Sequence, residues 1–387
     1  MAFVNSGILG LGAFHQFLEE YLPRQSVLAG EHVLLTDKLS RTDRIVRRLM
    51  CQRLWPDGAF GLTNLDLARF RQELHAGLLA RRRLRRMPRP NALHFHRQAT
   101  AYASLDLMRR IPSIVSIDAT QECVLQTATS RAEAASYQPN LWMDAAIFRR
   151  AAAVVSVSQW AVDSLRRVHP ECTTPAYVLP SPVLFEHFDR EWIGHRAARA
   201  SAGALPRFMF MGGDFVRKGG YDLLEAWRAG GFASRATLEL VTNWHIDGAV
   251  PAGVSVTRGI TAHSPEWSAR WAAADVFVMP TRNEAFGLVF QEAAAAGVPA
   301  IGTRHHAIPE IISDGETGLL VSPGDIASLV AAMDTLLGSA ELRQRLGSRA
   351  REIIERVADP VVYLNRLTTI FLDARSDHAS SVVARMN

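Results

Sequence analysis

The sequence predicts a two-domain α/β protein, each domain built on a parallel sheet with helices on both faces. Three observations predict it. The chain has 387 residues, long for one compact core and comfortable for two. Short, nearly continuous apolar runs recur along it, as strands buried on both faces require. Each run is followed by a loop and a segment of helical period, the order that parallel strands and helical crossovers produce.

In the first half the strand runs are Phe3-Val4-Asn5, His32 to Leu35, Ala92 to Phe95, Ile114 to Ile117, Val154 to Val157 and Tyr177 to Leu179. In the second half they are Phe208 to Met211, Leu238 to Val241, Val254 to Val256, Val276 to Met279, Pro299 to Ile301 and Leu319 to Val321. Ser264-Pro265-Glu266 places a cap, a first-turn proline and an acid in the order that starts a helix. Asp325, after Pro323-Gly324, opens another that carries Leu329, Met333 and Leu337. Asp189 to Pro206 is polar and rich in Ala, Arg and Gly, and reads as a link between domains. The expected division is an N-terminal domain over 1–190, a linker over 191–206 and a C-terminal domain over 207–360. A last helix over 361–387 is expected to pack back toward the N-terminal domain. No repeat of solenoid length interrupts this order. The reading is of two facing Rossmann-like domains, with ligands expected at strand carboxyl ends.

Composition narrows the function classes. Hydrophobic residues make up 48% and charged residues 21%, a balance that excludes a disordered chain. Cys51, Cys123 and Cys172 are scattered and form no CxxC pair, which argues against a disulfide framework or a zinc site and for a reducing cytoplasm. No basic leader precedes Phe3, and no apolar run approaches the ~20 residues that cross a bilayer. A cytoplasmic protein is expected, peripheral at the inner face of a membrane if it meets one. The formal charge of +5 is unevenly placed, its positive excess in the first half, so an anionic partner is sought there.

The most informative segment runs from Asp275 to Ala293. A strand ends at Pro280, a short loop carries Glu284, and Gly287 opens an alanine-rich helix containing Glu292. Backbone N–H groups of Phe286, Gly287 and Leu288 at that helix start can hold a phosphate, helped by the helix dipole. Glu284 can reach a sugar hydroxyl, and Glu292, about two turns on, can accept from a ribose diol. Each residue alone has an ordinary use: Glu284 as a dipole-complementing acid, Glu292 as a solvated helix residue. Pro-x-x-x-Glu, Phe-Gly, the second glutamate and Gly297-Val298-Pro299 together point to a site.

At these residues the chain resembles the family 4 retaining glycosyltransferases of the GT-B fold. Their Glu-x7-Glu pair is matched by Glu284 and Glu292, and the likeness continues through Pro309 to Ile312 and Asp314 to Val321. The resemblance covers the second half more fully than the first. It implies transfer of a sugar from a nucleotide-sugar donor with retention at the anomeric carbon and no metal cofactor. It gives Glu284 the transferred sugar and Glu292 the ribose. The turn Gly212-Gly213-Asp214-Phe215-Val216-Arg217-Lys218-Gly219-Gly220 resembles the family's Gly-Arg…Lys-Gly loop, which grips the diphosphate. Without a metal, cations must stabilise the departing phosphate, and Lys218 suits that role, with Arg217 as a second, planar cation and Gly213 as a backbone contact. Asp214 departs from the pattern, standing where an arginine is common.

In the first half, Ser6 to Gly12 is a glycine-rich turn after the first strand, and a helix is expected from about Phe14. Its spacing is not that of a dinucleotide fingerprint; by resemblance Gly10 and Gly12 line the acceptor side near the donor phosphates. Asp118 ends a strand and is either a turn aspartate or a catalytic group that contacts the sugar, where many family members carry a histidine. His94 and His96 read as locally hydrogen-bonded. The run Arg81, Arg82, Arg83, Arg85, Arg86 ends an amphipathic segment, either as a solvated helix end or as a docking patch for anionic lipid. No recognition motif or aromatic interleaving accompanies it, so nucleic acid is not expected as a partner. Base contacts are expected around Asn243-Trp244 and Gly259-Ile260.

The expected function is a hexosyltransferase acting from a nucleotide-sugar onto a glycan or a lipid-linked acceptor. Two alternatives stand beside it: a nucleotide-sugar epimerase of the same architecture, and a non-catalytic partner subunit that keeps the fold.

Overall fold

The computed structural model describes residues 1–5, 11–24, 30–35, 40–51 and 67–386. Two compact units divide the chain: Met1–Pro182 with Pro360–Asn387, and Val183–Asp359.

The first unit carries β1 (Ala2–Asn5), β2 (Glu31–Leu34), β3 (Leu93–His96), β4 (Ser113–Ile117), β5 (Ala153–Ser156) and β6 (Ala176–Val178). They pair in parallel in the order β2-β1-β3-β4-β5-β6. Val4, Phe95, Val115 and Val154, one from each of four central strands, are fully buried in one cluster. Burial on both faces is why these runs are apolar without alternation. The helix Pro360–Met386 belongs to this unit. Tyr363 packs edge-on against Phe14 and Phe17, and Phe371 against Phe3 and His94.

The second unit carries β7 (Arg207–Met211), β8 (Thr237–Val241), β9 (Val254–Thr257), β10 (Val276–Val278), β11 (Ala300–Thr303) and β12 (Gly318–Val321). Their order is β12-β11-β10-β7-β8-β9, again with parallel pairs. The chain builds β7, β8 and β9 outward, then returns to lay β10 on the other side of β7. The order therefore reverses between β7 and β10, and in the first unit between β1 and β3. Loops leaving such adjoining strands diverge to opposite faces and open a crevice at their carboxyl ends.

All twelve strand runs read from the sequence are strands. Ser264 and Asp325 cap their helices, accepting from the backbone N–H groups of Trp267 at 3.2 Å and Ser328 at 2.9 Å. The stretch read as a linker is different. Glu191–Ser201 is a helix within the second unit, and the chain passes between units at Pro182 and Asp359 instead. Its buried residue is an arginine, so apolar periodicity does not reveal it. Arg196 donates to the carbonyls of Ala296 (2.5 Å) and Gly297 (3.0 Å), the end of another helix, while Arg199 pairs with Asp275 at 2.5 Å.

Candidate functional site

At the reversal point of the second sheet, the loop after β7 meets the loop after β10. Three contacts hold them together. The N–H of Arg282 and the hydroxyl of Thr281 both donate to the Arg217 carbonyl, at 2.9 and 3.1 Å. Gly219 has φ +74°, and a Cβ there would lie 2.0 Å from the Pro280 carbonyl oxygen. Only glycine allows that approach.

The side chains then converge. Lys218 Nζ and Arg217 Nη1 each lie 3.2 Å from the same oxygen, Oε2 of Glu284. Arg217 also donates to the Asn283 carbonyl at 2.5 Å. Asp214 explains its own presence: it accepts from Arg217 Nε and from the Arg217 N–H, both at 3.1 Å, and so aims the guanidinium at Glu284. Sequence reasoning noticed Asp214 only as a departure from a pattern. The i,i+3 spacing of an acid and an arginine was the signal that could have found its role.

Glu284 is held from the other side as well. Its carbonyl lies 3.2 Å from His306 Nδ1, and Ala285 accepts from the Ala307 N–H at 3.3 Å, which brings in the loop after β11. Gly287, at φ +84°, turns the chain into the helix Leu288–Ala295. Phe286 is buried. Among the described residues, the N–H groups of Phe286, Gly287 and Leu288 make no hydrogen bond to protein, so the helix start presents free donors. Gly213 faces open space, with nothing within 4 Å of where a Cβ would be.

Glu292, on that helix, is part-buried. Burial pushes its carboxyl up to about 7, and the Lys218 charge partly offsets this. Lys218 thus acts electrostatically on both glutamates of the predicted pair. At the ends of β8 and β9, Asn243 Oδ1 accepts from the Gly259 N–H at 2.8 Å, joining the two segments read as base contacts.

The first-unit residues are placed as follows. Asp118 follows β4 directly, partly exposed and with no polar partner among the described residues. Gly10 lies outside the described residues. Gly12 sits in the first turn of the helix Leu11–Tyr21, which begins three residues earlier than the sequence suggested. His94 meets the Ser116 hydroxyl at 2.7 Å, and His96 stacks on Phe14 at 3.9 Å. Burial pushes both imidazoles down, His96 to about 3, so both are neutral packing groups. Within the arginine run, Arg81 pairs with Asp106 and Arg82 with Asp43, while Arg85 and Arg86 are exposed. No group of three or more His, Cys, Asp or Glu that could hold a metal ion occurs among the described residues. None of the described helices is long and apolar enough to cross a membrane.

Residues 260–353, which contain both glutamates, match the family described as Glycosyl transferases group 1. The chain carries a group 1 glycosyltransferase segment. A sulfoquinovosyl transferase of Arabidopsis thaliana is 41% identical over 99 residues, 25% of this chain and 19% of that protein. The chain spans less than half the length of the curated relatives it matches. Over nearly its whole length it shares a fold with solved structures. Sucrose-phosphate synthase from Thermosynechococcus elongatus superposes with a TM-score of 0.72 at 16% identity, covering 97% of this chain and 99% of that one. Anabaena HepE, solved in complex with UDP and glucose, gives 0.66 at 14% identity, covering 95% and 98%. The two parallel-sheet units are those of the GT-B fold.

Proposed function

We propose that this protein is a retaining, metal-independent glycosyltransferase that moves a hexosyl group from a nucleotide-sugar to a glycan or lipid-linked acceptor. One observation carries the reading: two cations from the loop after β7 meet one carboxylate from the loop after β10 at the reversal point of the sheet. Asp214 and Glu284 balance Arg217 and Lys218, and a diphosphate replaces Glu284 as the anion that the two cations share. The free N–H groups at Phe286 to Leu288 add oriented donors for the same anion. Glu292 accepts from the ribose diol, and Glu284 faces the transferred sugar once the cations turn to the phosphates.

As the donor bond breaks, charge gathers on the leaving diphosphate, and Lys218 stabilises it. These residues do the work a metal ion does elsewhere, so activity is expected to survive EDTA. Retention through a front-side step follows the family resemblance, which also gives Asp118 a contact with the sugar. The Anabaena neighbour's UDP makes UDP the first nucleotide to try. A cytoplasmic protein lying on an anionic membrane completes the reading. Arg85 and Arg86, with the neighbouring helix Arg41–Cys51, whose Ile45 and Leu49 are exposed, form its contact face.

The test is a panel of nucleoside diphosphates and their sugars, read by thermal shift and by product analysis with EDTA present. One nucleotide should raise the melting temperature, since a ligand of the native state stabilises it. A panel that neither shifts the melt nor yields sugar transfer sinks the reading.

A further inference from the structure

The reversal point of the first sheet lies between β1 and β3, and the residue that follows β3 is Arg97. It is one of three non-glycine residues with positive φ among those described, at φ +89° and ψ 137°. That region is forbidden to most side chains and is held only where surrounding bonds over-determine it. They do so here. The Arg97 N–H donates to the Ser116 carbonyl at 2.9 Å, and its carbonyl accepts from the Thr100 hydroxyl and N–H at 2.8 and 3.1 Å.

Among the described residues the side chain so placed has no hydrogen-bond partner. Nε is buried and makes no hydrogen bond, and no ion pair engages the guanidinium among the described residues. A guanidinium is always charged, and a buried N–H left unmade is costly enough to demand an explanation. Its charge acts on His96, which burial keeps neutral and which therefore supplies no competing cation. In the register of the sheet His96 faces Ser116, so Arg97 and Asp118 end neighbouring strands. They do not pair with each other. Gln98 donates to the Ala119 carbonyl at 3.3 Å, tying the two strand ends together.

We infer that Arg97 is an oxyanion-binding subsite at the carboxyl edge of the first sheet, taking a small polyol that bears a phosphate or carboxylate. Its planar fork pairs with the oxyanion, and Asp118 accepts from a hydroxyl of the same molecule. Strain retained at this arginine keeps the fork aimed. As recognition of an acceptor the subsite rests on the transferase reading; as a binding site it does not.

Calorimetry on the full chain tests it, with glucose 6-phosphate, glucuronate and glucose as probes and UDP measured separately. At least one anionic probe should bind about tenfold or more tighter than glucose. Arg97→Gln should reduce it to the glucose level without changing UDP affinity. Arg97→Gly should also lose the anion, yet melt no lower than the wild type, because glycine accepts the positive φ without strain. Anionic probes no tighter than glucose, or tight binding that survives in Arg97→Gln, overturn the subsite. So does Arg97→Gly melting lower with anion binding retained, since that is a structural arginine. Arg97-dependent anion binding alongside absent UDP binding supports the subsite and sinks only the transferase reading.

Discussion

At the residue scale the site is a matter of which charges face one another. Lys218 lies 3.2 Å from Glu284 and acts on Glu292; on the proposed reading its removal leaves the leaving-group phosphate without its compact cation. Loss of one preorganised donor to developing negative charge typically costs about 100-fold or more in turnover. Lys218→Ala is therefore expected to lower kcat about that much with a smaller change in KM, measured by initial rates of sugar transfer. Glu292 gives a prediction in pH. Its folded pKa, about 7, lies above the ordinary carboxylate value. Its contribution to stability is full below that ordinary value and is lost as pH rises through about 7. On the proposed reading the ionised form accepts both ribose hydroxyls, so nucleotide affinity should rise over the same interval. Glu292→Gln should flatten the pH dependence of UDP affinity between pH 6 and 8 relative to wild type. An unaltered profile would show that another group titrates. The glutamate pair and Lys218 were legible in the sequence because motif spacing is local. Asp214 was not, since its role depends on where Arg217 points.

At the element scale, the loops after β3 and β4 rest on a buried polar cluster. The Tyr102 hydroxyl lies 2.7 Å from Glu73 Oε2 and 2.8 Å from Asp144 Oδ1. Asn140 also donates to Glu73 at 2.6 Å, and Gln121, three residues past Asp118, donates to Asp144 at 3.1 Å. One phenolic hydrogen cannot serve two carboxylates, so one acid keeps its proton. Burial, followed by the Glu73 charge, raises the Asp144 carboxyl. The sign is that of a raised group: stability is full below the unfolded value of about 4 and is lost as pH rises through the folded one. Melting temperature should therefore fall between pH 5 and 8. Asp144→Asn, which cannot ionise, should fall less over that interval in parallel thermal melts. An equal fall in both proteins would place the titrating group elsewhere. Nothing in the sequence announced this cluster, whose members come from four separate segments. The helix Glu191–Ser201 escaped for a related reason: its buried contact is Arg196 on backbone carbonyls, and hydropathy scores an arginine as exposed.

At the scale of the whole molecule, the last helix returns to the unit that the first residues began. Tyr363 and Phe371 fill an aromatic cluster with Phe3, Phe14, Phe17 and His94. Truncation after Asp359 removes these rings and exposes the cluster, and deletions of buried aromatics cost about 3–5 kcal/mol each. The truncated chain should lose stability in the first unit while the second keeps its hydrogen-exchange protection. Equal loss in both units would count against the division at Asp359. By itself the sequence determined the twelve strands, the α/β class and the acidic pair with its lysine, because apolar runs, turn residues and motif spacing are local and survive in any arrangement. Only the tertiary structure decided that β10 lies beside β7 and β3 beside β1. Strand order follows from crossovers and long-range packing, which leave no local signature. That order is what carries Lys218 to Glu284, and Arg97 to the edge where it stands unpaired among the described residues.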